Sequence, residues 1–363
     1  MALNTILDQP VATGLLRNIL VRERVPHGLL FWGPGGVGKR MTALAFAQAL
    51  NCTEPVNHDA CGKCRSCIRI PQGHHPDVQM IEPAKKSRNI PVSVIDQIVT
   101  MASLRPHEGR WRVTIFLDAD RMHEAAQNHF LKTLEEPPGR SMFILVTEYP
   151  RMLLPTIRSR CQMVRFQALK PDTVSSILQR DRGVPAPRAE TVARLSQGQM
   201  DRAFDLLESD KREIVLALAH KLREGGDPST LATDFAKAMA GEKDRIAAAV
   251  KAEFAEAATP DRTPEEREAD EAAQEAKVSA LASRNLLDYL YLLETWYRDE
   301  MVFGATGEAS RCFNADQAEV LAKGVSSDAG RKIAAIEESR LYLERFIQDE
   351  RVFRSLFFSL AAP

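Results

Sequence analysis

Three stretches of this chain hold residues whose types and spacing could do chemistry. The first is Gly33 to Arg40, GPGGVGKR, a G-x-x-x-x-G-K run directly after the apolar Leu29-Leu30-Phe31-Trp32. Between a strand and a helix, such a run forms a phosphate-binding loop. Gly33, Gly35, Gly36 and Gly38 let consecutive backbone N–H groups converge on phosphate oxygens, the helix N-terminus adds positive potential, and Lys39 reaches toward the terminal phosphates. The next position departs from the pattern. A working loop places Ser or Thr there as a Mg²⁺ ligand, whereas this chain has Arg40, a cation with no acceptor atom. ATP binding through Lys39 and the loop backbone stays open, and the Mg²⁺ site is expected to be lost.

The second stretch contains Cys52, Cys61, Cys64 and Cys67, spaced C-x8-C-x2-C-x2-C. Four thiolates this close in sequence can meet around one tetrahedral Zn²⁺, with Zn–S near ~2.3 Å. With every ligand supplied by protein, the site is expected to be structural. Two disulfides are the alternative, which a reducing compartment disfavours. His58, His74 and His75 lie nearby, but four cysteines already satisfy the metal; Cys161 and Cys312 read as isolated thiols. The third stretch, Val113 to Asp120, VTIFLDAD, is the candidate for the apolar strand whose terminal carboxylates hold Mg²⁺ and orient water in an ATPase.

The elements that must position these groups follow from hydrophobic patterning. Ile6 to Arg22 predicts a helix with Val11, Leu15, Leu16, Ile19 and Leu20 along one face. Strands are predicted at 29–32, 78–81, 113–117, 143–147 and 164–166, with helices at 41–50, 92–104 and 124–135 between them. Apolar strands alternating with helices imply an α/β core with a parallel sheet covered on both faces. From Lys170 the strands stop, with helices expected at 171–180 and 188–207 and Val192, Leu195, Ala203, Phe204 and Leu207 buried. The rest is helical, including 278–302 and 333–360, where Ile336, Leu343, Ile347, Phe353, Phe357 and Leu360 recur at near-helical spacing. Phe254 to Val278 differs: eight acidic and three basic residues accompany two prolines, as in a solvated helical excursion or a flexible insertion.

Composition sets the limits. A chain of 363 residues, 44% hydrophobic and 27% charged, should form two or three folded domains. A net charge of −1 argues against a protein that coats nucleic acid by itself. The absence of a long apolar stretch and of a leader-like start points to the cytoplasm, with no membrane partner.

The loop GPGGVGK, the four-cysteine module, LDADRM, NHFLKTLEEPP at Asn128 to Pro138 and TIRSRCQ at Thr156 to Gln162 occur in one order and spacing. In this the chain resembles the clamp-loader subunits of the bacterial DNA polymerase III holoenzyme, which are AAA+ proteins, and within them the delta-prime type related to tau/gamma. The likeness covers about the first 210 residues by specific motifs and the remainder by helical character. It implies an AAA+ domain over residues 1–167 with a zinc module at 52–67. A helical lid at 168–208 follows, then an all-α collar domain at 209–363 interrupted by the charged segment 254–278.

Set against the family's active ATPases, Leu117 stands at the metal-binding Asp and Asp118 at the catalytic Glu. In a second registration Asp118 is the metal ligand and Ala119 takes the catalytic position. Either way a required carboxylate is missing. Asp201, counted from Gly198, stands where active members carry a phosphate-sensing Arg, and Thr147 stands where members carry a polar residue near the γ-phosphate. Without a metal site, Thr147 also reads as a plain strand-end hydroxyl. Arg160 takes the position of the arginine finger, which reaches the ATP of a neighbouring subunit; Arg158 is its competitor, and a surface ion pair is the plainer reading of Arg160. Glu135-Glu136-Pro137-Pro138 reads as helix termination, with no chemistry assigned.

The resemblance thus implies an ATPase-deficient stator that donates Arg160 to a neighbour. Its partners would be the tau/gamma and delta subunits, the sliding clamp and primed DNA. Two competing readings are an active tau/gamma-like ATPase motor, which Arg40 and Leu117 oppose, and a zinc-ribbon nucleic-acid-binding protein on a vestigial core. Cys61 to Arg69 has only Lys63, Arg65 and Arg69 as cations and no aromatic for base stacking, which weakens the latter.

Overall fold

A computed structural model describes residues 2–83, 89–256, 264–323, 328–344 and 348–361. Contacts divide the chain into two compact units, Met1–Val174 with Gln197–Arg202, and Ser175–Ser196 with Ala203–Pro363.

The first unit is built on β1 (Gly28–Trp32), β2 (Val78–Ile81), β3 (Arg112–Phe116), β4 (Ser141–Thr147) and β5 (Gln162–Arg165). They form one parallel sheet in the order β2-β3-β4-β1-β5. Helix α1 (Pro10–Arg22) precedes the sheet, and α2 (Lys39–Asn51), α3 (Arg65–Arg69), α4 (Val92–Ala102), α5 (Glu124–Glu135) and α6 (Pro155–Arg160) connect the strands. β3 and β4 are buried at every position, which matches their near-continuous apolar sequences and a sheet covered on both faces. One face packs Leu30, Phe116, Phe143 and Leu145 against Ile95 and Ile98 of α4, Phe130 and Leu134 of α5, and Ile157 of α6. Phe130 meets Phe116 and Phe143 edge-on, with centroids 5.2 and 5.0 Å apart. Because β1 lies between β4 and β5 while the chain leaves it for the distant β2, the carboxyl end of β1 is a topological switch point, where α/β sheets place their ligands.

Two expectations change in this unit. Val11 lies outside the buried stripe at 65% exposure, and Ala12, Thr13, Leu16 and Ile19 face inward instead. Pro10 starts α1 because it suits the first helical turn, and Leu16 and Ile19 keep their expected place on the buried face. The last strand begins at Gln162, earlier than the apolar residues suggest, because the edge strand pairs with β1 through its backbone, and Gln162 and Met163 stay exposed.

The second unit is helical. It contains the greater part of α7 (Pro171–Arg182), α8 (Ala186–Leu195) and the later residues of α9 (Met200–Glu208), followed by α10 (Lys211–Arg223), α11 (Pro228–Glu256) and α12 (Pro264–Thr306). It continues with α13 (Ala318–Ala322), α14 (Ala329–Glu344) and α15 (Asp349–Ala361). The helical stretch 188–207 is two helices, because Gln197 and Gly198 adopt left-handed backbone conformations (φ 51° and 76°). Phe235 of α11 anchors the core, 5.8 Å from Tyr289, 4.9 Å from Phe353 and 5.5 Å from Phe357. Ile336, Phe353, Phe357 and Leu360 are buried as expected; Leu343 is half-buried, and Ile347 lies outside the described residues. The segment after α12 is clipped down by arginines. Arg212 grips Asp316 at 2.6 and 2.8 Å, and Arg194 donates to the carbonyls of Ser310 and Cys312 at 2.7 and 2.9 Å. The acidic segment 254–278 falls partly on residues 257–263, outside the described ones. On either side of them the chain is helical, and Lys277 pairs with Glu253 at 2.5 Å and lies over the Phe254 ring.

Candidate functional site: an altered loop, a cysteine cage and an arginine

The loop Gly33–Lys39 joins β1 to α2 at the carboxyl edge of the sheet. Gly33, Gly36 and Gly38 take positive φ, and Lys39 begins α2. Gly36 allows a close approach: a Cβ there would stand 2.5 Å from the Asp201 backbone nitrogen, and the Met200 N–H donates to the Gly36 carbonyl at 3.3 Å. Lys39 is buried and turned back on its own loop, donating to the Gly33 carbonyl at 2.7 Å and to that of Pro34. Burial lowers its pKa, while Glu148, Asp201, Asp118 and Asp120 act in the opposite direction. A Cβ on Gly35 would lie 2.6 Å from Glu148 Oε1. Carboxylates therefore act on the one cation of the loop, against the effect of its burial. Arg40 points away to an exposed ion pair with Glu82 at 3.3 Å. The position after Lys39 thus lacks the hydroxyl that a Mg²⁺ ligand of a phosphate loop would supply.

Leu117 and Asp118 follow β3, with Asp118 exposed and in a left-handed conformation (φ 46°). Asp120 turns inward, and its carboxylate accepts a short hydrogen bond from the Thr147 hydroxyl. The Thr147 oxygen also accepts from the Tyr149 N–H at 2.9 Å. Thr147 is 1% exposed, so its hydroxyl is used to tie the end of β4 to the turn after β3.

The four cysteines come together. Their sulfurs all lie within 4.8 Å of one another, with Cys52–Cys64 at 3.9 Å and Cys61–Cys67 at 4.0 Å. A tetrahedral metal with ~2.3 Å bonds to sulfur requires edges of about 3.8 Å, so the donor set fits one metal ion. The separations are far beyond a disulfide bond of about 2.05 Å, and all four thiols are free. The N–H groups of Lys63 and Cys64 donate to Cys61 Sγ at 3.4 and 3.3 Å and lower the Cys61 pKa. Burial opposes ionisation of Cys64, but hydrogen bonds from Cys67 and Thr53 outweigh it and bring the thiol down to about 6. Burial raises Cys52 and Cys67. His75 stays out of the cage: its Nε2 lies 3.2 Å from the Ser66 hydroxyl, and its Nδ1 accepts from the Asp77 N–H.

Arg160 lies at the opposite edge of the sheet from Lys39. It closes α6 just before β5, and a Cβ added to Gly28, the first residue of β1, would stand 3.5 Å from the Arg160 carbonyl. The loop begins at the other end of β1, roughly 13 Å away at the rise of an extended strand. The two groups therefore stand at opposite ends of β1. The Arg160 side chain is 35% exposed and pairs through Nη2 with Glu135 Oε1 at 2.5 Å, while Nη1 donates to the Thr156 carbonyl at 3.0 Å. Arg158 is half-buried, with its Nε unpartnered.

Residues 8–170 match the family described as "DNA polymerase III, delta subunit". The DNA polymerase III subunit delta' of Bacillus subtilis is 32% identical over 206 residues, 56% of this chain and 60% of that protein. That of Escherichia coli is 31% identical over 211 residues, 57% of this chain and 63% of that protein. Over these stretches this chain is similar to DNA polymerase III delta-prime subunits. The DNA polymerase III subunit gamma/tau of Mycobacterium tuberculosis is 33% identical over 175 residues, 48% of this chain and 30% of that protein. The chain thus spans about three-fifths of the length of the delta-prime relatives it matches. The loop, the cysteine cage and Arg160 all fall inside residues 8–170. Among the described residues, no helix is long and apolar enough to cross a membrane.

Proposed function

We propose that this chain is a delta-prime-like subunit of a replicative clamp loader, an ATPase-deficient stator that supplies Arg160 to the ATP site of a neighbouring subunit. The observation that carries the reading is the placement of Arg160 and the loop at opposite ends of β1. An arginine so placed has no use for a phosphate in its own loop, but it can present a guanidinium to an adjoining chain. There, planar donors stabilise charge on a transferring phosphoryl group. The acid-lined loop supports the same reading, since Lys39 is already engaged and Glu148 and Asp201 disfavour an anion.

In this reading the first unit is an AAA+ domain whose switch-point site has been disabled. Cys52, Cys61, Cys64 and Cys67 hold a structural Zn²⁺, and the helical residues beyond 168 serve as lid (168–208) and collar (209–363). The partners are tau/gamma and delta subunits, the sliding clamp, and primed DNA within the assembly, in the cytoplasm. Reconstitution with the motor subunits, clamp and primed DNA tests it. Arg160→Ala is expected to lower ATP turnover at least about tenfold, and Lys39→Ala to change it less than about twofold. Hydrolysis by the isolated wild-type chain, abolished by Lys39→Ala, would instead make it an active motor.

A further inference from the structure

The acidic end of α5 holds the arginine that the proposed function sends to a neighbour. Glu135 is the last residue of α5, and Pro137-Pro138 prevent the helix from continuing past it, so the last turn closes with the Glu136 N–H donating to the Lys132 carbonyl at 3.0 Å. On the buried side, Phe130 and Leu134 of α5 share one core with Ile157 of α6 and Cys161. The packing leaves little slack: a Cβ on Gly28 would meet Cys161 Sγ at 2.9 Å and Leu134 Cδ2 at 3.4 Å. The helix that bears Glu135 and the helix that bears Arg160 are thus locked to each other through the core, and their side chains meet at its rim.

The contact itself is half-exposed, with the Glu135 side chain at 47% and that of Arg160 at 35%. An ion pair in such a place contributes little to stability. It does restrict the guanidinium. Glu135 pairs with Nη2 and the Thr156 carbonyl accepts from Nη1, so both ends of the guanidinium are engaged while the Nε–H faces neither of them. A long arginine held this way before an anion arrives does not have to be ordered when it does.

We propose that Glu135 is a positioning residue for Arg160: its carboxylate pre-orients the guanidinium toward the phosphate of the neighbouring site. The proposal rests on the reading of Arg160 as a group donated in trans. The test measures steady-state ATP turnover by the reconstituted assembly with clamp and primed DNA, separating kcat from KM. Glu135→Ala is expected to lower kcat about tenfold with KM for ATP within about twofold, because an unheld guanidinium loses orientation and not the site's ground-state affinity. Glu135→Gln, which keeps shape and an acceptor oxygen, should lose only about threefold. Glu135→Lys places a cation where the C-terminal end of a helix favours one, so the fold tolerates it, and it should cost at least as much kcat as alanine.

The double variant Glu135→Ala/Arg160→Ala should turn over at the rate of Arg160→Ala alone, since two groups that act as a unit are not additive. If Arg160→Ala is slow while the Glu135 variants match wild type, the positioning role is wrong and the donated arginine stands. If Arg160→Ala itself is fully active, both fail. An equal loss from Glu135→Ala in the wild-type and Arg160→Ala backgrounds would make Glu135 structural. A gain in kcat would make it a restraint.

Discussion

Asp77, just before β2, illustrates how much single side chains decide in this fold. Its carboxylate is 1% exposed and accepts hydrogen bonds from the N–H groups of His107, Glu108 and Gly109 at 2.7, 2.8 and 2.8 Å and from Arg112 Nη2 at 3.2 Å. Burial alone would raise its pKa, but these donors prevail and hold it below the usual value of 3.8. A depressed carboxylate contributes stability that is fully present above the unfolded-state pKa and is lost as pH falls through the folded one. Urea midpoints of the wild type should therefore drop as pH is lowered from about 4, whereas Asp77→Asn should start about 3 kcal/mol less stable at pH 7 and lack that part of the acid dependence. A wild-type curve parallel to that of the variant would remove the carboxylate from the account. At this scale the sequence was legible where spacing constrains chemistry, as in Lys39 and the four cysteines. It was silent where a side chain meets a distant segment. Asp77 is 30 or more residues from the N–H groups it caps, and Glu135, read as part of a helix stop, is beside Arg160 only because α5 and α6 share a core.

The cysteine-bearing insertion is a compact element. The C-x8-C interval contains a tight turn in which Val56 and Asp59 exchange backbone hydrogen bonds at 3.0 Å, with Asn57 and His58 at φ 51° and 61°. Two left-handed central residues are what a two-residue hairpin turn requires, and asparagine tolerates the first. Asp59 then accepts from the N–H groups of Leu3 and Asn4 at 3.2 and 3.3 Å, tying the module to the start of the chain. Buried Cys52 and Cys67 pack with Ala49 of α2 and Ala60. A metal bound here would hold thiolates in place of thiols, and its binding would add to the folding energy of this element. Purified protein is expected to contain one zinc per chain. Cys61→Ser, or prolonged chelation, should release it and lower the melting temperature by roughly 5 °C or more. A chain that melts unchanged without metal would show that the cage is held by its own packing.

At the scale of the whole molecule, each of the two units has its own core. In the helical unit, Phe235 is 2% exposed and touches rings from α12 and α15. Phe235→Ala is expected to cost about 3–5 kcal/mol, read as a lower denaturant midpoint for the loss of helical circular dichroism. A change under about 1 kcal/mol would mean that the rings around it repack without it. The buried Asp299 belongs to the same unit. It accepts from the N–H groups of Phe313 and Asn314 at 2.8 and 2.7 Å, so a polar group near the end of α12 fixes the path of the chain that follows.

The sequence by itself determined the local features: the strand–loop–helix around Gly33–Lys39, the alternation that makes a parallel sheet, the helical remainder, and the cysteine spacing. Each depends on neighbours within a turn or a strand, where backbone period and residue type suffice. Only the tertiary structure decided the relations between them. The burial of Lys39 within the field of Glu148, Asp201, Asp118 and Asp120, the tie from Thr147 to Asp120, and the separation of Arg160 from the loop along β1 all depend on strand order and on helices packing across the sheet. Such contacts join residues far apart in the chain, and their energies come from desolvation and charge at close range, which spacing in one sequence does not encode.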